Sequence, residues 1–415
     1  MDLMYSILTL TVWFLSTYFI ALVLLIMLEK REDLKSYGEP DDSLPFVSVV
    51  VPALNEEKGV LPALQSLYDM DYPWGRYEVI VVNDGSTDRT SDFIRDFISS
   101  HKEMRAVFID RSENHGKAFS LNEGIEAAKG DYVATMDSDS VVKSDILKKT
   151  VGMFRDEGVG AVTVRVHVSE PRNLLERIVD IEYVVGLSLS LKILSYLNAM
   201  HVTPGPFSIY RKSMLLEIGG FDEHNIVEDM EIAFRIHKAG YRIENTLHTG
   251  VYTIVPSTLN GLYRQRKRWY SGSLITLLQH KDTMFNRALG CFGVFFLPLN
   301  YLTITLGLLM GVYSAGLLAN NIFQHVKHLI LTNFELLPFD ILDFDLLTVS
   351  IFHFLMLSSM LSIALMTKAS MSVMHRRLRE NISGFIGFIF FFLLYQFFWL
   401  SSFYSVLAGR KVKWR

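Results

Sequence analysis

The stretch Val47-Ser48-Val49-Val50-Val51-Pro52-Ala53-Leu54-Asn55-Glu56-Glu57 decides the fold. Its opening β-branched run, broken by one serine, reads as a strand buried on both faces. Polar Asn-Glu-Glu follows, then a helical stretch from about Lys58 to Met70. The same alternation recurs downstream. Val79-Ile80-Val81-Val82 is a second strand with a helix to about Ser99. Met104 to Ile109 is a third, with a helix from about Lys117 to Ala128, and Tyr132 to Met136 is a fourth. Apolar strands alternating with amphipathic helices predict a parallel sheet covered on both sides.

In such sheets ligands gather beyond the carboxyl ends of the strands, where three polar motifs lie: Asn55-Glu56-Glu57, Asn83-Asp84-Gly85-Ser86-Thr87-Asp88 and Asp137-Ser138-Asp139. Each taken alone is also ordinary turn or cap chemistry. In Asp-x-Asp, two carboxylates one residue apart face the same way and can grip a hard cation. At successive strand ends, the three describe a pocket for a base, a ribose and a metal diphosphate. Asn114-His115-Gly116-Lys117 adds a glycine turn at a helix start, where the helix terminus and Lys117 favour an anion. His115 reads as packing or capping rather than as a ligand.

The second half is less regular. The strand Ala161 to Val168 leads into a long helical stretch, Asn173 to Met200, apolar enough to touch membrane or the chain's own spans. Thr203-Pro204-Gly205-Pro206-Phe207 is a stiff bend whose close backbone approach can shape a pocket. Val227-Glu228-Asp229-Met230-Glu231 opens another helix. First-turn carboxylates suit the helix dipole in any case. The alternative makes Asp229 a general base aimed into the cleft. The segment Thr258 to about His280 interleaves apolar residues with Arg264, Arg266, Lys267 and Arg268, as a membrane-surface helix does. Arg264, Arg266 and Lys267 are expected to meet lipid phosphates, whereas Arg268 and Trp269 are expected at the site.

Half of the 415 residues are hydrophobic and a fifth are charged, which fits a polar domain joined to membrane spans. The formal net charge of −4 excludes a broad basic field for nucleic acid. One cysteine, Cys291, excludes a disulfide framework and reads as a small apolar residue. Four charge-free stretches reach the roughly 20 residues that cross a hydrocarbon core: Leu3 to Leu28, Ala288 to about Asn320, Leu346 to Thr367 and about Ile382 to Ala408. Lys30 and Arg31 after the first place residues 32 to about 285 in the cytoplasm. The acidic loop with Glu335, Asp340, Asp343 and Asp345 is then outside, and His375 to Arg379 inside. The tail, with Arg410, Lys411, Lys413 and Arg415, would fall outside against the charge rule, which suggests that the Pro298 region or the last run is interfacial or re-entrant.

Asp84 in its Asn-Asp-Gly-Ser-Thr-Asp motif, Asp137-Ser138-Asp139, Glu228-Asp229 and Gln265-x-x-Arg268-Trp269 occur in an order that resembles membrane-integrated family 2 glycosyltransferases, such as poly-N-acetylglucosamine, hyaluronan and cellulose synthases. The resemblance covers about residues 46 to 285. It implies an α/β GT-A (Rossmann-like) cytoplasmic domain fused to α-helical transmembrane segments in the plasma membrane. The boundaries expected are residues 3–28 for the first span, 46–256 for the GT-A domain, 257–285 for the interfacial helix and 288–408 for about three further spans.

It further implies a UDP-sugar donor. Ala53, Glu56 and Asp84 would bind uridine, Lys117 with Arg268 the diphosphate, and Gln265 would belong to the same donor site. Asp137 would help hold donor and metal, and Asp139 would coordinate Mg²⁺ or Mn²⁺. Asp229, beside Glu228, would be the base, and Trp269 would contact the acceptor. Val227 stands where threonine is common, and Thr203 to Phe207 replaces a hydroxyl-rich loop, which leaves the acceptor open. The implied reaction is inverting transfer of a hexose or N-acetylhexosamine to a polysaccharide or lipid-linked acceptor. Single-sugar transfer to a polyprenyl phosphate or glycolipid is the alternative. A transporter or non-catalytic nucleotide-binding membrane protein is more remote, because neither repeated halves nor mid-membrane charges are visible.

Overall fold

Strand β1 (Val47–Ala53) is buried along its whole length, so both of its faces are covered, as its unbroken apolar run demands. In this computed structural model the described residues are 3–35, 44–332 and 351–409. Along the chain α1 (Leu3–Glu29) and the short α2 (Arg31–Lys35) precede β1. Next come α3 (Val60–Tyr68), β2 (Tyr77–Asp84), α4 (Thr90–Ser100), β3 (Ala106–Arg111), α5 (Lys117–Ala127) and β4 (Tyr132–Thr135). Strands β1, β2, β3 and β4 pair in parallel in the order β3-β2-β1-β4, with a helix crossing over before each of β2, β3 and β4.

Beyond β4 the sheet changes character. The chain continues through β5 (Val141–Val142), α6 (Ile146–Val151), β6 (Val159–Val168), α7 (Leu174–Tyr183), α8 (Leu191–Tyr196), β7 (Ser208–Arg211), α9 (Lys212–Glu217), α10 (Glu228–Lys238) and β8 (Arg242–Thr253). The eight strands run β3-β2-β1-β4-β7-β6-β8-β5, with β7 antiparallel to both β4 and β6, and β5 antiparallel to β8. The expectation of a parallel sheet, made for the strands up to β4, holds for them, whereas the second half is mixed, with only β6 and β8 pairing in parallel there. Four-residue β7 follows the Pro-Gly-Pro bend and is too short for periodicity to reveal. Two large apolar clusters cover the two faces of this sheet. One is built around Val49, Val51, Val79 and Val164, the other around Val50, Ile80, Val82 and Phe234.

Three further helices follow α10: α11 (Leu259–Gln279), α12 (Leu297–Leu331) and α13 (Ile351–Val373), before a last one, α14 (Ile382–Leu407). Among the described residues, Ser6–Glu29 and Phe292–Leu331 are long and apolar enough to cross a membrane. Leu357–Val373 and Leu378–Phe391 pass that test only together and meet at a bend of 112°. The sequence counted these last two runs as separate spans. Both helices form, but α14 lies against α7 and α11 of the sheet domain instead of standing apart. The acidic residues from Glu335 to Asp345 and the tail from Arg410 lie outside the described residues.

The helical segments and the sheet domain are joined through packed side chains. A third cluster brings Val23 and Ile26 of α1 together with Ile181, Leu189 and Ile193 and with Met366 and Met371 of α13. The long helical stretch after Asn173 is therefore the docking surface, as its apolar character suggested. It is not continuous, because a π-helical segment, Val184–Ser190, separates α7 from α8. Asn173 and Glu176 start it with a reciprocal cap, the Asn173 side chain accepting from the Glu176 N–H. Arg376, from the basic loop before α14, donates to both oxygens of buried Asp180 at 2.9 and 2.7 Å, and Asn381 adds a third bond.

Gly124 on α5 lies against Val50 so closely that an added Cβ would overlap both valine methyls. Gly124→Ala should destabilise the domain by about 1–3 kcal/mol through overpacking. The roughly 1 kcal/mol that alanine gains over glycine inside a helix offsets part of this. Denaturant unfolding of the detergent-solubilised protein measures the net loss.

Candidate active site

The three strand-end motifs are laced into one surface. Asn55 sits at φ 54°, a left-handed conformation that asparagine tolerates. There its N–H donates to Ser86 Oγ (2.9 Å) and its Oδ1 accepts from the Thr87 N–H (2.8 Å). The Glu56 N–H donates to Thr90 Oγ1 at 2.8 Å. Asp84 is buried, and its two oxygens accept from the His115 and Gly116 N–H groups at 2.9 and 2.8 Å. Gly116, at φ 100°, makes the turn that starts α5 and aims Lys117 inward. His115 therefore acts through its backbone, as expected of a non-ligand.

Lys117 is the hub. Its Nζ lies 2.6 Å from Asp137 Oδ1 and 2.8 Å from Glu228 Oε1, joining the end of β4 to the first turn of α10. Burial works against the lysine charge, but Asp137, Glu228 and Asp229 outweigh it and raise its pKa. Burial likewise opposes the Glu228 charge, and Lys117 and Arg268 overcome it, holding Glu228 below its usual range. Asp229 has no such direct pair. Burial and then the neighbouring Glu228 charge push it up to about 6, with Lys117 and Arg268 pulling the other way. Two adjacent carboxylates are thus driven apart, one fixed as an anion and one poised near neutral pH, a pattern that separates acid–base roles. The Asp229 carbonyl is held by both the N–H and the hydroxyl of Thr203, each at 2.9 Å.

The bend at Thr203 to Phe207 comes as close as its composition predicts. A Cβ on Gly205 would stand 2.8 Å from Lys117 Nζ and 3.0 Å from Asp137 Oδ2. Asp139 lies on the other side of Asp137. Burial, then Asp137 and Glu56, raise it to about 7, with Ser140 and Lys117 offsetting part of this. Three carboxylates thus crowd a place where one lysine is already committed. That excess of negative charge is what a divalent cation relieves. Among the described residues no three His, Cys, Asp or Glu side chains form a ready cage.

The helix α11 closes the site from the α14 side. Thr258 caps it by accepting from the Gly261 N–H at 3.2 Å. Gly272 packs against Val227 with no space for a Cβ, which seats the helix on the loop before Glu228. Arg268 Nη1 donates to the Ile226 carbonyl at 3.3 Å, and its charge acts on both Glu228 and Asp229. It points into the cleft. Gln265 accepts from Arg266 Nη1 at 3.0 Å. The expectation for Arg266 is overturned, since it does not reach lipid phosphates. It is wholly buried, donates to Glu182 at 2.7 Å and lies 4.1 Å above the Trp269 ring. Arg264 is exposed, as a lipid-facing residue would be, and Lys267 is half-buried with its ammonium over Tyr263.

Glu56, Lys117, Asp137, Asp139, Glu228, Asp229 and Arg268 therefore meet in one electrostatic group. Asp84 and Ala53, which ends β1, lie on the β1–β2 side of the same edge. Gln265 and Trp269 lie on the α11 side. The bend at Thr203 was expected to shape the pocket, but Tyr210, which donates to Thr203 Oγ1 at 2.9 Å, and Glu182 were not anticipated. Each sits in an element without a motif, so only the packing reveals it. Cys291 is a free, half-buried thiol.

Residues 48–219 match the profile of Glycosyl transferase family 2. The chain is 32% identical over 234 residues to the poly-beta-1,6-N-acetyl-D-glucosamine synthase of Staphylococcus epidermidis, 56% of each chain. It is 31% identical over 239 residues to the Staphylococcus aureus enzyme of that name, 57% of each. The match thus spans just over half the length of these curated relatives. Among solved structures it resembles the mannosyltransferase PcManGT from Pyrobaculum calidifontis, in complex with GDP-Man and Mn²⁺. The TM-score is 0.55 at 22% identity, covering 77% of this chain and 92% of that one. At that identity the likeness speaks for the fold, a GT-A domain.

Removing Lys117 leaves Glu228 charged and unpaired in the interior. Lys117→Met should lose about 3–5 kcal/mol of stability at neutral pH. Without its lysine, buried Glu228 takes up a proton more readily. The gap between variant and wild type should therefore narrow as pH falls, a trend read by unfolding at pH 7.5 and 5.

Proposed function

Residues 48–219 being a glycosyl transferase family 2 domain, we propose that this protein transfers a sugar from a UDP-sugar to a growing polysaccharide, with inversion at the anomeric carbon. N-acetylglucosamine is the first sugar to test, because the relatives are named as synthases of its β-1,6 polymer. The observation that carries the reading is the meeting of Asp229, Glu228, Lys117, Asp137, Asp139 and Arg268 in one cleft. These residues are scattered over 152 positions of sequence, counting Lys117 to Arg268 inclusively.

In this reading Ala53, Glu56 and Asp84 border the uridine pocket. Asp84 meets the base with lone pairs left over from its bonds to His115 and Gly116. Lys117, Arg268 and Gln265 face the diphosphate, and Lys117 exchanges part of its pairing with Asp137 and Glu228 for phosphate oxygens when donor binds. Asp139, with Asp137, would hold Mg²⁺ or Mn²⁺. The bound cation supplies charge neutralisation at the diphosphate. Asp229 accepts the proton of the acceptor hydroxyl. The acceptor oxygen bonds to the anomeric carbon as its bond to the diphosphate breaks, and UDP leaves with the electron pair. Lys117 and Arg268 stabilise the charge that develops there. No second carboxylate is needed as a nucleophile, so an α-linked donor gives a β-linkage. Trp269 borders the acceptor.

The domain limits 46–256, 257–285 and 288–408, with residues 3–28 ahead of them, divide these tasks between the sheet domain, the α11 helix and the apolar helices. The catalytic cleft faces the cytoplasm, where nucleotide sugars are made, and the apolar helices fix it to the plasma membrane. Single-sugar transfer to a lipid would give one lipid-soluble product instead of a polymer ladder, so product size separates the two.

Asp229→Asn should abolish transfer, by about 10²-fold or more, while UDP-sugar binding, followed by calorimetry, survives. Normal turnover by this variant would remove Asp229 from the mechanism. Asp229 acts as base only when ionised, and its pKa in the free protein is raised to about 6. The transfer kcat/KM should accordingly hold above that pH and fall as pH drops through it. Chelation by EDTA should stop transfer, and added Mn²⁺ or Mg²⁺ should restore it. Activity untouched by exhaustive chelation would exclude the cation.

A further inference from the structure

Trp269 does not hold its own position. Its indole is half-buried at the edge of the cleft, and the planar group lying on it is the Arg266 guanidinium, one helical turn back, 4.1 Å from the ring centroid. Arg266 is 0% exposed, the largest of the fully buried side chains. Its Nη2 donates to Glu182 Oε2 at 2.7 Å and its Nη1 to Gln265 at 3.0 Å. The same Glu182 oxygen accepts from the Tyr395 hydroxyl at 2.5 Å. Glu182 is on α7 and Tyr395 on α14, so a single carboxylate ties three helices together. Tyr183, next to Glu182, presents its ring 6.5 Å from the indole at 27°.

A charge this deep contributes little net stability compared with an apolar side chain of similar size. What it contributes is direction. The guanidinium is a rigid plane with donors in fixed places. Once two of its nitrogens are bonded, the face over the indole has one orientation, and the indole beneath it has few. The packing of α11 on α14 is supplied elsewhere: Tyr270 stacks on Trp399 at 4.2 Å and 6°, and the Tyr263 and Ser401 hydroxyls share a hydrogen bond at 2.5 Å.

We infer that Arg266 is a positioning residue for the acceptor side of the cleft: the chain Tyr395–Glu182–Arg266 fixes the plane of Trp269, so the seat of α14 decides whether an acceptor sugar is correctly placed for attack. This rests on the reading of Trp269 as the acceptor contact. Arg266 touches neither Lys117 nor the carboxylates of the cleft in any bond described, and its one bond toward the donor side is to Gln265, which changes at Glu182 and Tyr395 leave in place. Water needs no seat, whereas a sugar hydroxyl does. Loss of this chain therefore uncouples the two fates of the donor, hydrolysis and transfer.

The test uses the full-length protein in lipid nanodiscs with UDP-N-acetylglucosamine and Mn²⁺. It measures UDP release into water, incorporation into polymer and the KM for donor. Glu182→Gln and Arg266→Ala should lower polymer formation by about tenfold or more and raise the ratio of hydrolysis to transfer, and Glu182→Gln, which keeps the Arg266 bond to Gln265, should leave the donor KM within about twofold. Tyr395→Phe should do the same more weakly. Arg266→Lys keeps the ion pair but not the plane and should recover only part of the transfer. Should Arg266→Ala fail to fold, the near-isosteric Glu182→Gln and Tyr395→Phe decide. Hydrolysis and transfer falling in parallel would mean a merely structural role and overturn the inference, as would unchanged ratios throughout. A wild-type protein that neither binds nor turns over any UDP-sugar would instead overturn the glycosyltransferase reading beneath it.

Discussion

One buried ammonium holds the centre of this protein together. Lys117 reaches from the start of α5 to Asp137 at the end of β4 and to Glu228 at the start of α10. It thereby joins the parallel half of the sheet to its mixed half across the cleft. Without a cation there, Glu228, Asp229, Asp137, Asp139 and Glu56 would be anions sharing one poorly solvated space. The cost of burying charge would then oppose the fold itself. With one lysine the balance is only partly met, and burial, then the neighbouring carboxylates, raise the pKa values of Asp229 and Asp139. Burial and incomplete neutralisation together carry the proposed chemistry, in which Asp229 takes a proton and Asp137 and Asp139 would hold a metal.

The surrounding structure serves that arrangement. The strand ends are pinned to one another by Asn55, Asp84 and Ser86, so the carboxyl edge of the sheet is a stiff platform. The bend at Gly205 presses close enough to Lys117 and Asp137 to exclude a methyl group. On the opposite side, α11 is seated by Gly272 against Val227 and by Arg266 against Glu182. The apolar helices are bound to this frame through Asp180 and Arg376 and through the cluster of α1, α7 and α13 side chains. The apolar helices and the candidate site are therefore parts of one packed unit among the described residues.

Much of this was legible beforehand, and the reasons are specific. Strands β1, β2 and β4 are buried on both faces and so carry near-continuous apolar runs. The motifs at their ends are polar because the loops there bond to one another along the carboxyl edge of the sheet. Strand β7 escaped notice because four residues carry no period. The reversal it makes depends on the preceding bend and on pairing with β4 and β6. Arg266 was misread for a related reason: among five basic and polar neighbours on an amphipathic helix, composition gives every cation the same expected environment. Only the presence of Glu182 and Tyr395, far away in sequence, makes one of them interior.

The order of strands and helices, the acidic motifs at the strand ends and the apolar runs were set by local composition, since burial and turn formation act on near neighbours in the chain. Which carboxylate is pinned as an anion and which is left basic was decided by tertiary structure. So was which arginine faces the cleft and which supports the indole. Those outcomes follow from charges meeting across long sequence separations at distances under about 4 Å, where the electrostatic interaction is strong and acutely dependent on geometry.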